Sequence, residues 1–309
     1  MTLKYSTYRA IEIINRLPGA ITGTEILHSS DKPDYSPPCG VHVGSPEHIL
    51  FITFTVAIDT EIDSLTLWNS VRKAYEGEKT RYLFSPASLY EIEADQIQYD
   101  LKKLGLCKKG KKVAEIWKNM GIFLFQKWGG DPRNFLSSCN WDGNEILNRM
   151  IPSRYNEVYD FHHFFGEKKG QLWLTLLRKQ GEIHQITNLY KTPLITDIHT
   201  VRASIALGLI YGSYSGQISI ISQKVRELWE NAIHITIGDN LGITPYELAE
   251  SLRNLSKNGC SQKDGKRISC PQFENCPFNK FCVQGIFSLE NKGVLIDTIK
   301  EGLNESTKK

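Results

Sequence analysis

Apolar residues recur mostly at helical intervals along this chain. Val113, Ile116, Trp117, Met120 and Leu124 fall three or four residues apart and predict one face of a helix. Ser88-Leu89-Tyr90-Glu91 has the layout of a capping box, and Leu89, Ile92, Leu101 and Leu104 continue behind it until Gly105. Thr244-Pro245-Tyr246-Glu247 combines an N-cap residue, a proline at the first helical position and a capping glutamate, with Gly259 closing that helix. A short helix is expected from about Tyr8 to Arg16, followed by a loop rich in turn formers from Ser29 to Gly40. Three β-branched stretches, Ile49 to Ile58, Ile218 to Ile221 and Ile233 to Ile237, score as strands on propensity. Burial overrides propensity readily, so the pattern as a whole predicts a mainly helical protein in which these three stretches are the test.

Composition changes this picture little. With 309 residues, 40% hydrophobic and 23% charged, the chain has room for a sizeable core in one or two domains. The longest apolar run, His48 to Ile58, is too short to span a bilayer, and Met1 to Tyr5 opens no apolar signal core. A soluble, cytoplasmic, monomeric protein is expected. The net charge of +3 excludes a general polycation. Charge is locally uneven, however, because Lys102, Lys103, Lys108, Lys109, Lys111 and Lys112 crowd one stretch. Such a run reads either as solvated surface or as a set of phosphate contacts.

Two segments carry candidate chemistry. Four of the seven cysteines, Cys260, Cys270, Cys276 and Cys282, lie within 23 residues at the spacing C-x9-C-x5-C-x5-C. In a reducing compartment that density suggests a metal or iron–sulfur clamp rather than disulfides. Four thiolates can hold a [4Fe–4S] cluster or a tetrahedral zinc, and the lack of any CxxC step favours the cluster. Upstream, Asp197, His199 and Arg202 stand as D-x-H-x-x-R after the apolar approach Pro193-Leu194-Ile195-Thr196. Asp197 there reads either as an ordinary helix cap or as a carboxylate held at a helix start for chemistry.

Together these segments resemble the helix-hairpin-helix DNA glycosylases, in particular their iron–sulfur branch typified by endonuclease III. The resemblance runs from about Gly44 to Gly285. It rests on the C-P-x4-C ending at Cys276 and Cys282, the Gly166-Glu167-Lys168 layout before an apolar helix, and the run from Ser85 through Gly105 to Ile116. It implies an all-α fold of two helical lobes flanking a DNA-binding cleft: a six-helix lobe over 45–190, and a second lobe from 1–44 and 191–309 carrying the cluster loop. It makes Ile49 to Ile58 a buried helix. It implies excision of a damaged or modified base from double-stranded DNA, after the nucleotide is flipped out of the stack. In that reading Asp197 activates the nucleophile and stabilises the positive charge developing on the sugar. The Lys168 amine decides whether strand cleavage follows base removal. Gly166, Lys169, His199, Arg202, Lys108, Lys109 and Lys111 lie on the DNA side, and the cluster pins a loop. The rival reading is a nucleic-acid-binding protein of the same fold without the chemistry. A zinc-clamped helical interaction protein is more distant.

Overall fold

The computed structural model describes residues 2–23, 27, 33–59, 62–107, 111–150, 161, 166–236, 243–260, 270, 272–290 and 292–299. The chain divides into two compact units, one formed by Met1–Ser30 with Pro193–Lys309 and the other by Asp31–Thr192.

The Asp31–Thr192 unit is built on a helix that is buried on all sides. This helix, α2 (Pro46–Ala57), starts at Ser45, whose hydroxyl accepts from the His48 amide, and every residue from His48 to Ala57 is buried. That explains a run of β-branched and aromatic residues with no polar face, because a helix surrounded by others needs none. Around it stand α3 (Ser64–Glu76), α6 (Lys112–Trp128), α7 (Pro132–Ser138) and α9 (Glu167–Lys179). Phe54 stacks on Trp117 at 5.1 Å, and Phe51 meets Trp68, Tyr75 and Phe84. Two of the buried indoles are satisfied, Trp117 donating to the Leu83 carbonyl (2.6 Å) and Trp173 to the Thr53 hydroxyl (3.0 Å), whereas the Trp68 Nε1 has no hydrogen-bond partner among the described residues. Each such side chain contributes roughly 1.5–3 kcal/mol by leaving water.

Three short helices complete the unit: α4 (Pro86–Glu91), α5 (Ala94–Lys103) and α8 (Gly143–Met150). Ser88 is not the capping residue that its sequence context suggests. The cap is Ser85, which accepts from the Ser88 amide, with Pro86 at the first helical position. The helix stops at Ile92 and a new one begins at Ala94, so Leu89 and Leu101 belong to separate helices. Gly105, at φ +74°, follows the end of α5 as expected.

In the other unit α1 (Thr7–Gly23) packs on α11 (Ile218–Thr236), and α10 (Ile198–Ala206) packs on α12 (Pro245–Asn258). Ile218 to Ile221 and the described part of the third stretch, Ile233 to Thr236, therefore lie in α11, as helix, while Ile237 lies outside the described residues. The Thr244 capping box forms in full and Gly259 closes α12. Alongside the helices lies a four-stranded antiparallel sheet of β1 (Thr2–Tyr5), β2 (Ile210–Gln217), β3 (Gln284–Glu290) and β4 (Gly293–Ile299), in the order β1-β2-β4-β3. The protein is thus mainly helical with a small sheet that the residue pattern did not announce. No described helix is long and apolar enough to cross a membrane.

Candidate functional site

Asp197 is the N-cap of α10, in extended backbone just ahead of the first turn. Its approach is fixed upstream, where the Leu194 amide donates to Glu230 (2.9 Å). One carboxylate oxygen, Oδ1, accepts from the amides of His199 and Thr200 (2.9 Å each) and from the Thr200 hydroxyl (3.2 Å). The other, Oδ2, is ion-paired with Arg253 of α12. Burial pushes this carboxyl up, but the Thr200 amide, the Arg253 charge and the neighbouring His199 outweigh it and hold the group below the ordinary aspartate value. About a quarter of the side chain, 27%, still meets solvent. The result is an oriented carboxylate at a helix start, its charged form favoured.

The other two motif residues also reach α12. His199 Nδ1 lies 3.3 Å from the Ser256 hydroxyl, and Arg202 donates to the same oxygen at 3.4 Å. Ser256 is fully buried. Desolvation, assisted by Arg253, Arg202 and Lys257, holds His199 below the usual imidazole range despite the opposing pull of Asp197. D-x-H-x-x-R therefore acts locally as a clasp, one side of α10 engaging Arg253 and Ser256. Neither α12 residue was legible as a partner in sequence, where they are an arginine and a serine three residues apart on an ordinary amphipathic helix.

Gly166 caps α9 at φ +95° and ψ 153°, a backbone region reserved for glycine, and no side chain caps the helix. Lys168, in the first turn, is exposed. Lys169 is half-buried and its ammonium donates to the Ala57 carbonyl (2.7 Å), closing the C-terminus of α2. Desolvation, reinforced by Lys112, lowers its pKa, against the pull of Asp59. That geometry makes Lys169 a helix-end contact and leaves Lys168 as the accessible amine of the pair. Lys111 is exposed and pairs loosely with Asp95 (3.8 Å). Lys108 and Lys109 lie outside the described residues, as does the hairpin approach over 162–165.

Cys260, just after α12, is buried, as are Cys270 and Cys276, while Cys282 is partly so; none of the four is in a disulfide. From Cys270 onward the backbone proceeds in steps of three. The Phe273 amide donates to Cys270, Cys276 to Phe273, Asn279 to Cys276 and Cys282 to Asn279. The two C-x5-C intervals are thus spanned by successive three-residue backbone steps. The donor chemistry, four reduced cysteines in one segment and no disulfide, fits a thiolate-bound iron–sulfur cluster or zinc. Among the described residues no three His, Cys, Asp or Glu side chains are gathered at ligand distance. Drawing the four together is what such a group would have to do on binding, as metal sites commonly do.

No family model and no curated protein matches this sequence. Among solved structures the chain is similar to a trapped endonuclease III–DNA covalent intermediate, described as an estranged-adenine complex. The identity is 13% and the TM-score 0.42, over 87% of this chain and 95% of that one. It is also similar to a non-covalent endonuclease III–DNA complex, at 15% identity and TM-score 0.41, over 89% and 92% of the respective chains.

Proposed function

We propose that this protein is a DNA glycosylase that cleaves the N-glycosidic bond of a damaged or modified base in double-stranded DNA. The observation that carries the reading is the state of Asp197: an anion fixed by amides, a hydroxyl and a guanidinium, yet open to solvent on one side. Loss of a base leaves positive charge on the deoxyribose, and a pre-oriented anion stabilises that charge with no reorganisation. A carboxylate held below its ordinary pKa is a weak base. Electrostatic stabilisation is therefore its main role, and proton abstraction from water is secondary. The glycine-capped start of α9 offers amides to a DNA phosphate. The exposed Lys168 amine is the group that would attack C1′ if strand cleavage follows. A four-thiolate centre at Cys260, Cys270, Cys276 and Cys282, [4Fe–4S] or alternatively zinc, would supply structure, pinning the loop between α12 and β3.

One observation favours the rival, a nucleic-acid-binding protein without the chemistry: both carboxylate oxygens of Asp197 already have protein partners, as in a purely structural cap. A panel of single-lesion duplexes separates the two. The glycosylase reading expects base release from at least one duplex, lost by 10²-fold or more in Asp197→Asn with DNA binding kept. Binding of lesion DNA with no base release from any duplex, or full activity in Asp197→Asn, removes it. Borohydride trapping that disappears in Lys168→Gln would identify the lyase amine.

A further inference from the structure

Arg9 enters the unit from α1 and is 97% buried, with 3% of its surface exposed. Its Nη1 donates to two carbonyls, Phe281 (2.7 Å) and Leu207 (3.2 Å). The space it occupies is built for it. Gly208, at φ +69°, lies against Nη1 so closely that a Cβ there would collide with the guanidinium. Beside it the Val283 amide is stitched to the Ala206 carbonyl (3.0 Å). The 206–208 turn and the end of the cysteine segment thus close around one arginine.

Two neutral carbonyls satisfy N–H donors but do not neutralise a charge. Among the described residues Arg9 has no carboxylate within ion-pair distance, and the ionisable groups in its electrostatic reach are Tyr211, Glu12 and Cys282. A permanently charged guanidinium taken out of water with no counter-ion is costly, and such groups persist where an anion compensates them. The adjoining cysteine segment carries the ligands for one. Four thiolates around a divalent metal or a [4Fe–4S] core carry net negative charge, and Cys282 directly follows the carbonyl that Arg9 holds.

We propose that Arg9 is the buried counter-charge of an anionic four-thiolate metal centre, and the clamp that fixes the Cys282 end of its loop. The proposal rests on the metal-centre reading above. Arg9 is a positioning residue in this role and touches no DNA.

The test compares anaerobically purified full-length wild type, Arg9→Gln and Arg9→Lys. It measures iron, sulfide and zinc per chain, the rate of metal loss to a chelator, and thermal unfolding of loaded and stripped protein. Arg9→Gln keeps hydrogen-bond donors without the charge and is expected to lose metal 10- to 100-fold faster, the range typical of groups that support metal ligands. Arg9→Lys keeps the charge and is expected to stay within a few-fold of wild type. Stripped protein gives the opposite sign: without its anion the buried charge is a liability, so Arg9→Gln raises the unfolding temperature there while lowering it in loaded protein. Metal-bearing wild type with an unchanged loss rate in Arg9→Gln overturns this proposal alone. Wild type that carries neither iron nor zinc overturns the metal centre and the proposal together. If Arg9→Gln does not fold, a 10-fold faster loss in Arg9→Lys would show that geometry rather than charge matters, which also overturns it.

Discussion

Replacing Arg253 by methionine removes the cation that faces Asp197 while keeping a long apolar stem on α12. Each side chain of the pair is 27% exposed, so the interaction lies between two regimes. Fully exposed ion pairs contribute about 0.2–1 kcal/mol, and hydrogen bonds to charged groups about 1.5–3 kcal/mol. With partial screening we expect a loss of about 1–2 kcal/mol, or roughly 2–8 °C in Tm for a chain of this size. The loss stays below that for stranding a buried charge because the His199 and Thr200 amides still hold Asp197. Urea unfolding of Arg253→Met, Asp197→Asn and the double variant gives the coupling energy directly. The pH dependence is fixed in sign. The folded pKa of Asp197 is depressed, so its stabilisation is present above the unfolded value of about 3.9 and is lost as acid protonates the folded carboxylate. The gap between wild type and Arg253→Met should therefore be full at neutral pH and shrink on acidification. Coupling below about 0.3 kcal/mol, or a gap that widens in acid, would refute the reasoning.

Three further outcomes are expected. Burial holds His48 below its ordinary value of 6.5, with Arg72 assisting and the Tyr35 carbonyl and Glu182 opposing. Acidification below about 6.5 should therefore destabilise the wild type by up to ~1.4 kcal/mol per pH unit more than His48→Gln, and parallel pH profiles would exclude this. Gly166→Ala meets no steric neighbour, so its cost comes from backbone conformation alone, about 1–3 kcal/mol by denaturant unfolding. Thr244→Ala breaks the capping box of α12 and should cost about 1 kcal/mol, measurable in the same way.

The helices were legible wherever a polar face or a cap made them so, as in α6 and α12. The buried α2 shows why periodicity has limits, since a helix enclosed on every side displays none, and only the resemblance identified it. The strands escaped for a different reason. In β4 Val294, Ile296 and Thr298 are buried while Leu295 and Ile299 are exposed, so both faces carry apolar residues and the alternation is blurred. Asp197 was identified as a helix-start carboxylate from its local context. Arg253 was not, because an ion pair across 56 positions exists only once α10 packs on α12. The same holds for Arg9 and the cysteine segment, joined across 272 positions.

The first strand also has a consequence for synthesis. In β1, Tyr5 pairs with Ile210, so roughly 200 residues must leave the ribosome before it finds its partner. At typical bacterial-to-eukaryotic elongation rates of about 5–20 residues per second, that is a wait of roughly 10–40 s. Throughout it, Ala10, Ile13, Ile14 and Leu17 of α1 have no α11 to cover them. The contiguous stretch from Asp31 to Thr192 emerges meanwhile and has all its internal partners in hand. The nascent chain therefore carries a sticky helix ahead of a segment already able to collapse, and co-translational chaperones would find their substrate in α1.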